Sequence, residues 1–362
     1  MKTRIIGALA VVILFALGAA GQKLGPPKLE ATPSTEDQTR LTKEGVALHD
    51  KGDYDGAISR YAQVLRENPA NVEALYEMSF SYFLKEDCQK SLEMALRAAQ
   101  YKSDLLGKIY GEIGNCQDDL GRPKEAIETF KAGIKLLPAN FLLHYNLGLT
   151  YARSGQWEDA RVEVKKSALL NPNHAGSQHL LGVIFDKGGY KIPALLAASR
   201  FLVLEPVSKR SETALQLTQK IMQAGVSPAK DGKNISVILG TGQKKDEGDF
   251  ESIDLFMGLM KAGNYIEENK DKSEIKHLVD NFNSLFAMLS ESTSKSDRSK
   301  FTWKYYVPYF VEMKKQGHVE AFAYYINQRS SIAEVNDWLK QNQNKVSDFL
   351  SWSKSYGWPK VD

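Results

Sequence analysis

Apolar positions in the first part of this chain recur at helical spacing, in short stretches paired across tight turns. Between residues 38 and 209 the turns include Lys51-Gly52-Asp53 and Gly121-Arg122-Pro123, with further turn glycines at Gly155 and Gly189. Each turn separates two amphipathic stretches, so the pattern predicts five consecutive helix–turn–helix pairs. Small residues recur in step with them. Gly45, Ser79, Gly114, Gly148 and Gly182 follow at intervals of 34, 35, 34 and 34. Ala57, Ser91, Ala126, Ala160 and Ala194 keep the same rhythm, as do Pro69, Ser103, Pro138, Pro172 and Pro206. A small residue at two fixed points lets paired helices approach closely. The proline ends the second helix, because it has no N–H and disfavours helical geometry in the residue before it.

A period of 34 with these fixed points resembles the tetratricopeptide repeat. The resemblance covers about half of the chain, at 38–209, and implies an all-α fold: a solenoid of five repeats. Repeat two, from Val72, lacks the glycine and the proline and is the most degenerate. One extra residue separates it from repeat three. The stretch 210–225 reads as a capping helix beginning at Ser211, since the last repeat of a solenoid needs a polar outer face. Arrays of this family bind other proteins, which makes a protein or peptide segment the expected partner.

The remainder differs. The stretch 226–249 is rich in glycine and lysine and reads as a linker with one short β-prone run, Ile235 to Leu239. Residues 250–362 return to helical spacing, with stretches at 253–265, 275–289, 303–313, 319–326, 332–341 and 346–355, but not to the 34-residue period. This part holds Trp303, Trp338, Trp352 and Trp358 and reads as a separate helical C-terminal domain whose aromatic area closes a small core. Pro308 is expected to kink its helix.

The N-terminus starts Met-Lys-Thr-Arg, runs apolar from Ile5 to Ala16 and continues with small residues. That is the form of a secretory signal peptide, 1–21, followed by a flexible Pro- and Thr-rich leader, 22–37. The expected location is periplasmic or secreted, with no membrane span after cleavage. Removing Lys2 and Arg4 takes the formal charge from +3 to +1, too little for a nucleic-acid footprint.

Candidate site residues follow from the register. The first helix of each repeat lines the concave groove. Aligning the glycines puts Tyr76, Phe80 and Phe83 of repeat two on one helical face. With them come Asn115 and Asp118 of repeat three, Tyr145, Leu149 and Arg153 of repeat four, and His179, Val183 and Asp186 of repeat five. An aromatic stripe facing solvent marks a binding surface; the competing readings are that another part of the chain covers it, or that repeat two is out of register and the stripe is core. Some members of the family grip a peptide carboxylate with groove lysines, arginine and asparagine. Asn115 fits one such position, but Thr42, Leu142 and Asn146 stand where the cationic partners would. Cys88 and Cys116, the only cysteines, fall at the start of one helix and near the end of a neighbour, within reach of a disulfide.

For catalysis the signs are negative. The six histidines, His49, His144, His174, His179, His277 and His318, show no metal spacing. Leu239-Gly240-Thr241-Gly242 lacks the third glycine and the lysine of a phosphate loop. No cofactor, metal or catalytic group is expected. The alternative function is a cell-envelope enzyme or glycan-binding protein whose site lies in the C-terminal domain, with a pocket near Trp303 or Trp352; the aromatic run 301–310 is otherwise read as core packing or as a carbohydrate or peptide platform.

Overall fold

The computed structural model describes residues 24–223, 226–228, 235–237, 245–263, 271–291 and 297–360. The proposed signal peptide and the Gly-Thr-Gly turn lie outside them. Five helix pairs follow one another: α1 (Glu36–His49) with α2 (Tyr54–Glu67), α3 (Val72–Leu84) with α4 (Cys88–Ala98), and α5 (Leu106–Asp119) with α6 (Pro123–Leu136). Then come α7 (Phe141–Arg153) with α8 (Trp157–Leu170), and α9 (Ala175–Gly188) with α10 (Lys191–Leu204). Each helix packs on the next, as a solenoid requires.

The small residues act as the repeat predicts. A Cβ on Gly114 would lie 2.4 Å from the Phe130 ring, and one on Gly45 would lie 2.5 Å from Tyr61. Ala57, Ala126, Ala160 and Ala194 are fully buried opposite them. In repeat two the missing glycine is replaced by a polar contact: Ser79 Oγ donates to the Ser91 carbonyl at 2.9 Å. Asp53, Asn71, Asp87 and Asn140 cap their helices through side-chain oxygens.

The leader behaves differently from the expectation. Its residues 28–30 lie along the array, with β1 (Leu29–Glu30) pairing in parallel with β2 (Tyr101–Lys102). Tyr110 donates to the Gly25 carbonyl at 2.8 Å, and Asn71 Nδ2 donates to Ser34 Oγ at 2.8 Å. β2 occupies the longer connection that the extra residue of repeat two creates. This leader segment is therefore held by backbone bonding to the connection after repeat two and by the side chains of Asn71 and Tyr110.

α11 (Lys209–Gln223) caps the array, but it starts earlier than Ser211. Ser208 and Ser211 exchange backbone-to-hydroxyl bonds of 2.7 and 3.1 Å, which makes Ser208 the cap residue. β3 (Val226–Pro228) and β4 (Ile235–Val237) pair antiparallel, one strand more than expected. The C-terminal helices are α12 (Glu251–Gly263), α13 (Glu274–Glu291), α14 (Phe301–Lys315), α15 (Val319–Ile326), α16 (Ala333–Gln341) and α17 (Gln343–Ser355). α14 continues through Pro308 as one helix.

The C-terminal helices do not close a core of their own. One apolar cluster runs from Tyr110 and Phe130 in repeat three through α10 to Phe286, Phe310 and Phe349. α14 and α15 pack on α10. Arg200 of α10, 1 % exposed, sits where they meet. Its guanidinium lies 5.0 Å from the centroids of both Tyr309 and Trp358, and donates to Ser353 Oγ at 2.9 Å and Asn173 Oδ1 at 2.7 Å. Glu247, also 1 % exposed, accepts from Arg161 at 3.0 Å, Thr302 at 3.3 Å and Lys165. These contacts bind the C-terminal helices to the second helices of repeats four and five, away from the groove.

Candidate interaction groove

The first helices α1, α3, α5, α7 and α9 lie next to one another in a row. At its N-terminal end this row is aromatic. Phe80 stacks on His49 at 5.0 Å and on Tyr76 at 6.2 Å, and Lys108 Nζ sits 5.6 Å from the Tyr76 ring centre. Phe80 and Phe83 are half-buried, whereas Tyr76 is only 8 % exposed and belongs to the core of repeats two and three. The stripe is thus split. Its first member supports the fold, and the other two reach the surface.

Polar groups at this end have few partners. Asp50, Glu73 and Glu77 make no ion pair within 4 Å among the described residues. Burial raises the Glu77 carboxyl above its ordinary range; Lys108 opposes that, and Glu73 and Asp50 add to it. Behind them Glu112, 5 % exposed, accepts from Ser91 Oγ at 3.1 Å, and burial pushes its carboxyl up to about 7.

The other end is neutralised. Arg153 donates to Asp118 at 2.8 Å and to Asp119 at 3.5 Å, and Lys220 of α11 pairs with Asp186 at 3.3 Å. Tyr145 meets His174 edge-on at 4.7 Å, and His179 meets Phe201 at 4.8 Å. Asn115, Leu149 and Val183 are half-buried. Of the expected groove residues, the structure ties Asp118, Arg153 and Asp186 to each other or to the capping helix. Those ties join residues 34 and 35 positions apart, the repeat length, and could have been found by looking for opposite charges at that spacing.

Cys88 and Cys116 are free thiols. They lie within hydrogen-bonding reach of one another, and burial raises both, so both stay protonated near neutral pH. Cys116 donates to Ser91 Oγ at 3.2 Å instead of forming a bridge.

The aromatic run of α14 is interior. Tyr305, Tyr306, Tyr309 and Phe310 are fully buried and Trp303 is 6 % exposed. Tyr305 donates to the Ala168 carbonyl at 2.9 Å, and Tyr306 donates to Gln178 at 2.6 Å. These rings are packing, not a surface platform. Among the described residues no group of three or more His, Cys, Asp or Glu side chains could hold a metal ion. No described helix is long and apolar enough to cross a membrane.

Comparison with known proteins agrees with this geometry. Tetratricopeptide-repeat profiles match residues 42–103 and 141–174, and a TPR-repeat profile matches 119–155. The chain is a tetratricopeptide-repeat protein over these residues. It is 29% identical over 114 residues to the general transcriptional corepressor trfA of Dictyostelium discoideum, covering 30% of this chain and 8% of that one. It is 24% identical over 198 residues to the TPR repeat-containing protein MJ1428 of Methanocaldococcus jannaschii, covering 48% and 35%. The chain thus spans well under half the length of these curated relatives. Among solved structures it is similar to PilW, at 19% identity and TM-score 0.45, covering 52% of this chain and 91% of that one. It is also similar to MamA, at 22% identity and TM-score 0.40, covering 48% and 96%.

Proposed function

We propose that this protein is an exported, non-catalytic scaffold that holds a segment of a partner protein against the N-terminal end of its concave face. The observation that carries this reading is the half-buried Phe80 and Phe83 on α3, beside carboxylates that make no ion pair within 4 Å among the described residues. A preformed array spends little conformational entropy on binding, so a few aromatic contacts suffice to hold an extended or helical segment. Export rests on the basic start, the apolar run and the small residues of 1–21. It places the partner in the periplasm or outside the cell.

A photo-crosslinking side chain at position 80 of the chain expressed in its own host tests the reading. A discrete crosslinked product, lost when position 83 is changed to alanine, supports it. The absence of any product, or a product insensitive to position 83, counts against it. N-terminal sequencing of the natural protein tests export: a mature start near Gln22 agrees, and an intact Met1 in a cytoplasmic fraction does not.

A further inference from the structure

The turn between α3 and α4 departs from its counterparts. Gly52, Gly121, Gly155 and Gly189 occupy the left-handed region at the equivalent turns, with φ between 74° and 81°. Repeat two places Glu86 there, at φ 61°, the only described residue other than glycine with positive φ. A side chain in this region costs stability that glycine would not.

Glu86 stands at the rim of an open depression of about 780 Å³ between repeats two and three. The floor is apolar: Phe83, Leu84, Cys88 and Leu120, with Leu84 41% and Leu120 36% exposed. The rim is acidic: Glu86, Asp87 and Asp119. The cations nearby do not balance it. Lys90 pairs with Asp87 at 3.0 Å, and Arg153 is shared between Asp118 and Asp119. Lys85, next to Glu86 in sequence, is already paired with Asp55, and its charge still reaches Asp87. Four carboxylates thus face two cations beside the Lys85–Asp55 pair, and Glu86 has no ion pair among the described residues.

We infer that this depression is a second docking site, which takes a bulky apolar side chain of a partner peptide with a lysine or arginine beside it. The apolar side chain covers Leu84 and Leu120, which water otherwise wets. The neighbouring cation reaches Glu86 at the rim and supplies the charge that the depression lacks. A peptide of the opposite sign would be repelled by the same three carboxylates. Phe83 belongs both to this floor and to the end of the aromatic groove, so one segment could run from one site to the other. The docking site stands without the groove, since Leu84, Glu86 and Leu120 lie at the turn end of the helices.

Selection of a random-peptide phage library on the immobilised chain tests this. The selected sequences should be enriched in an apolar residue adjacent to lysine or arginine. Their binding should weaken about tenfold or more in Leu120→Ser, which removes the apolar floor at an exposed position. Glu86→Gly is the second variant. It restores the residue type of the other turns, so its Tm should rise while binding of the selected peptides falls. A raised Tm with reduced binding separates a lost contact from a damaged fold. Enrichment of acidic peptides, no enrichment, or peptides that bind both variants as well as the parent chain would overturn the inference. Peptides that lose binding in Phe80→Ala but not in Leu120→Ser or Glu86→Gly would leave the groove standing and remove this site.

Discussion

Two buried glutamates contrast the two ends of this molecule. Glu247, beside repeats four and five, is held by Arg161 and Lys165 and bonded by Thr302. Glu112, between repeats two and three, has one hydroxyl partner and no cationic partner among the described residues, and its carboxyl is pushed up to about 7. The same division runs through the surrounding surface. At the far end the groove charges pair across repeats, α11 caps the array, and the C-terminal helices cover the outer side. At the near end an aromatic row, unpaired carboxylates and wetted leucines face outward. Like repeats thus end differently: one end is closed by other parts of the chain, and the other keeps apolar and acidic groups at its surface.

If the far end is a shared core, removing a ring there should destabilise repeats and C-terminal helices together. Tyr309→Ala deletes a fully buried ring packed on Arg200 and Trp358, with an expected cost of about 3–5 kcal/mol. Urea unfolding followed by both far-ultraviolet dichroism and tryptophan fluorescence measures it. Two separate transitions, with the repeats unaffected, would break the comparison at this point.

Glu247→Gln should come next, at about 2–3 kcal/mol, because it leaves the buried Lys165 without its carboxylate and Arg161 with only Glu158 and Asp246. A change below about 1 kcal/mol in the urea midpoint analysis would mean that this pairing does not anchor the 245–249 segment.

Glu112 gives a pH signature of opposite character. Its folded value, about 7, lies above the ordinary carboxyl value, so the folded state holds the proton more tightly than the unfolded chain. The stabilisation is fully present below the unfolded value near pH 4.3 and is lost as pH rises through about 7. Between pH 5 and pH 8 the parent chain should lose on the order of 2–3 kcal/mol from this group, and Glu112→Gln should lose less by that amount. Unfolding of both proteins at the two pH values checks it. Identical pH dependence would show that water or a cation reaches Glu112.

The smallest effect on stability belongs to the exposed row. Phe80→Ala should cost about 1 kcal/mol, the worth of a partly exposed stack, while a crosslinked or captured partner is lost. Tyr76→Ala, at a buried neighbour four residues earlier, should cost roughly 3 kcal/mol or more. Equal melting losses for the two would erase the distinction between core and surface on α3.

Much of the fold could be read from the chain. The spacing of Gly45, Gly114, Gly148 and Gly182 marks the first helices, because only small residues fit opposite rings such as Tyr61 and Phe130. The helices of the C-terminal part, 319–326 among them, follow from their apolar period. The site was less legible. Helical spacing puts Tyr76, Phe80 and Phe83 on one face, but it does not say where that face passes from a neighbouring helix into solvent. That depends on the position of α5, whose Lys108 and Glu112 lie beside α3.

The sequence by itself determined the repeat, its small-residue contacts and the identity of the helices, because each of these is set within one helical pair. The tertiary structure alone decided the rest. It laid the leader along the connection after repeat two through backbone bonds that carry no residue pattern. It merged the C-terminal helices with the array around Arg200, a residue whose charge would ordinarily mark it as surface. It also turned the aromatic run 301–310 inward, since a ring's exposure depends on what packs over it and not on its own chemistry.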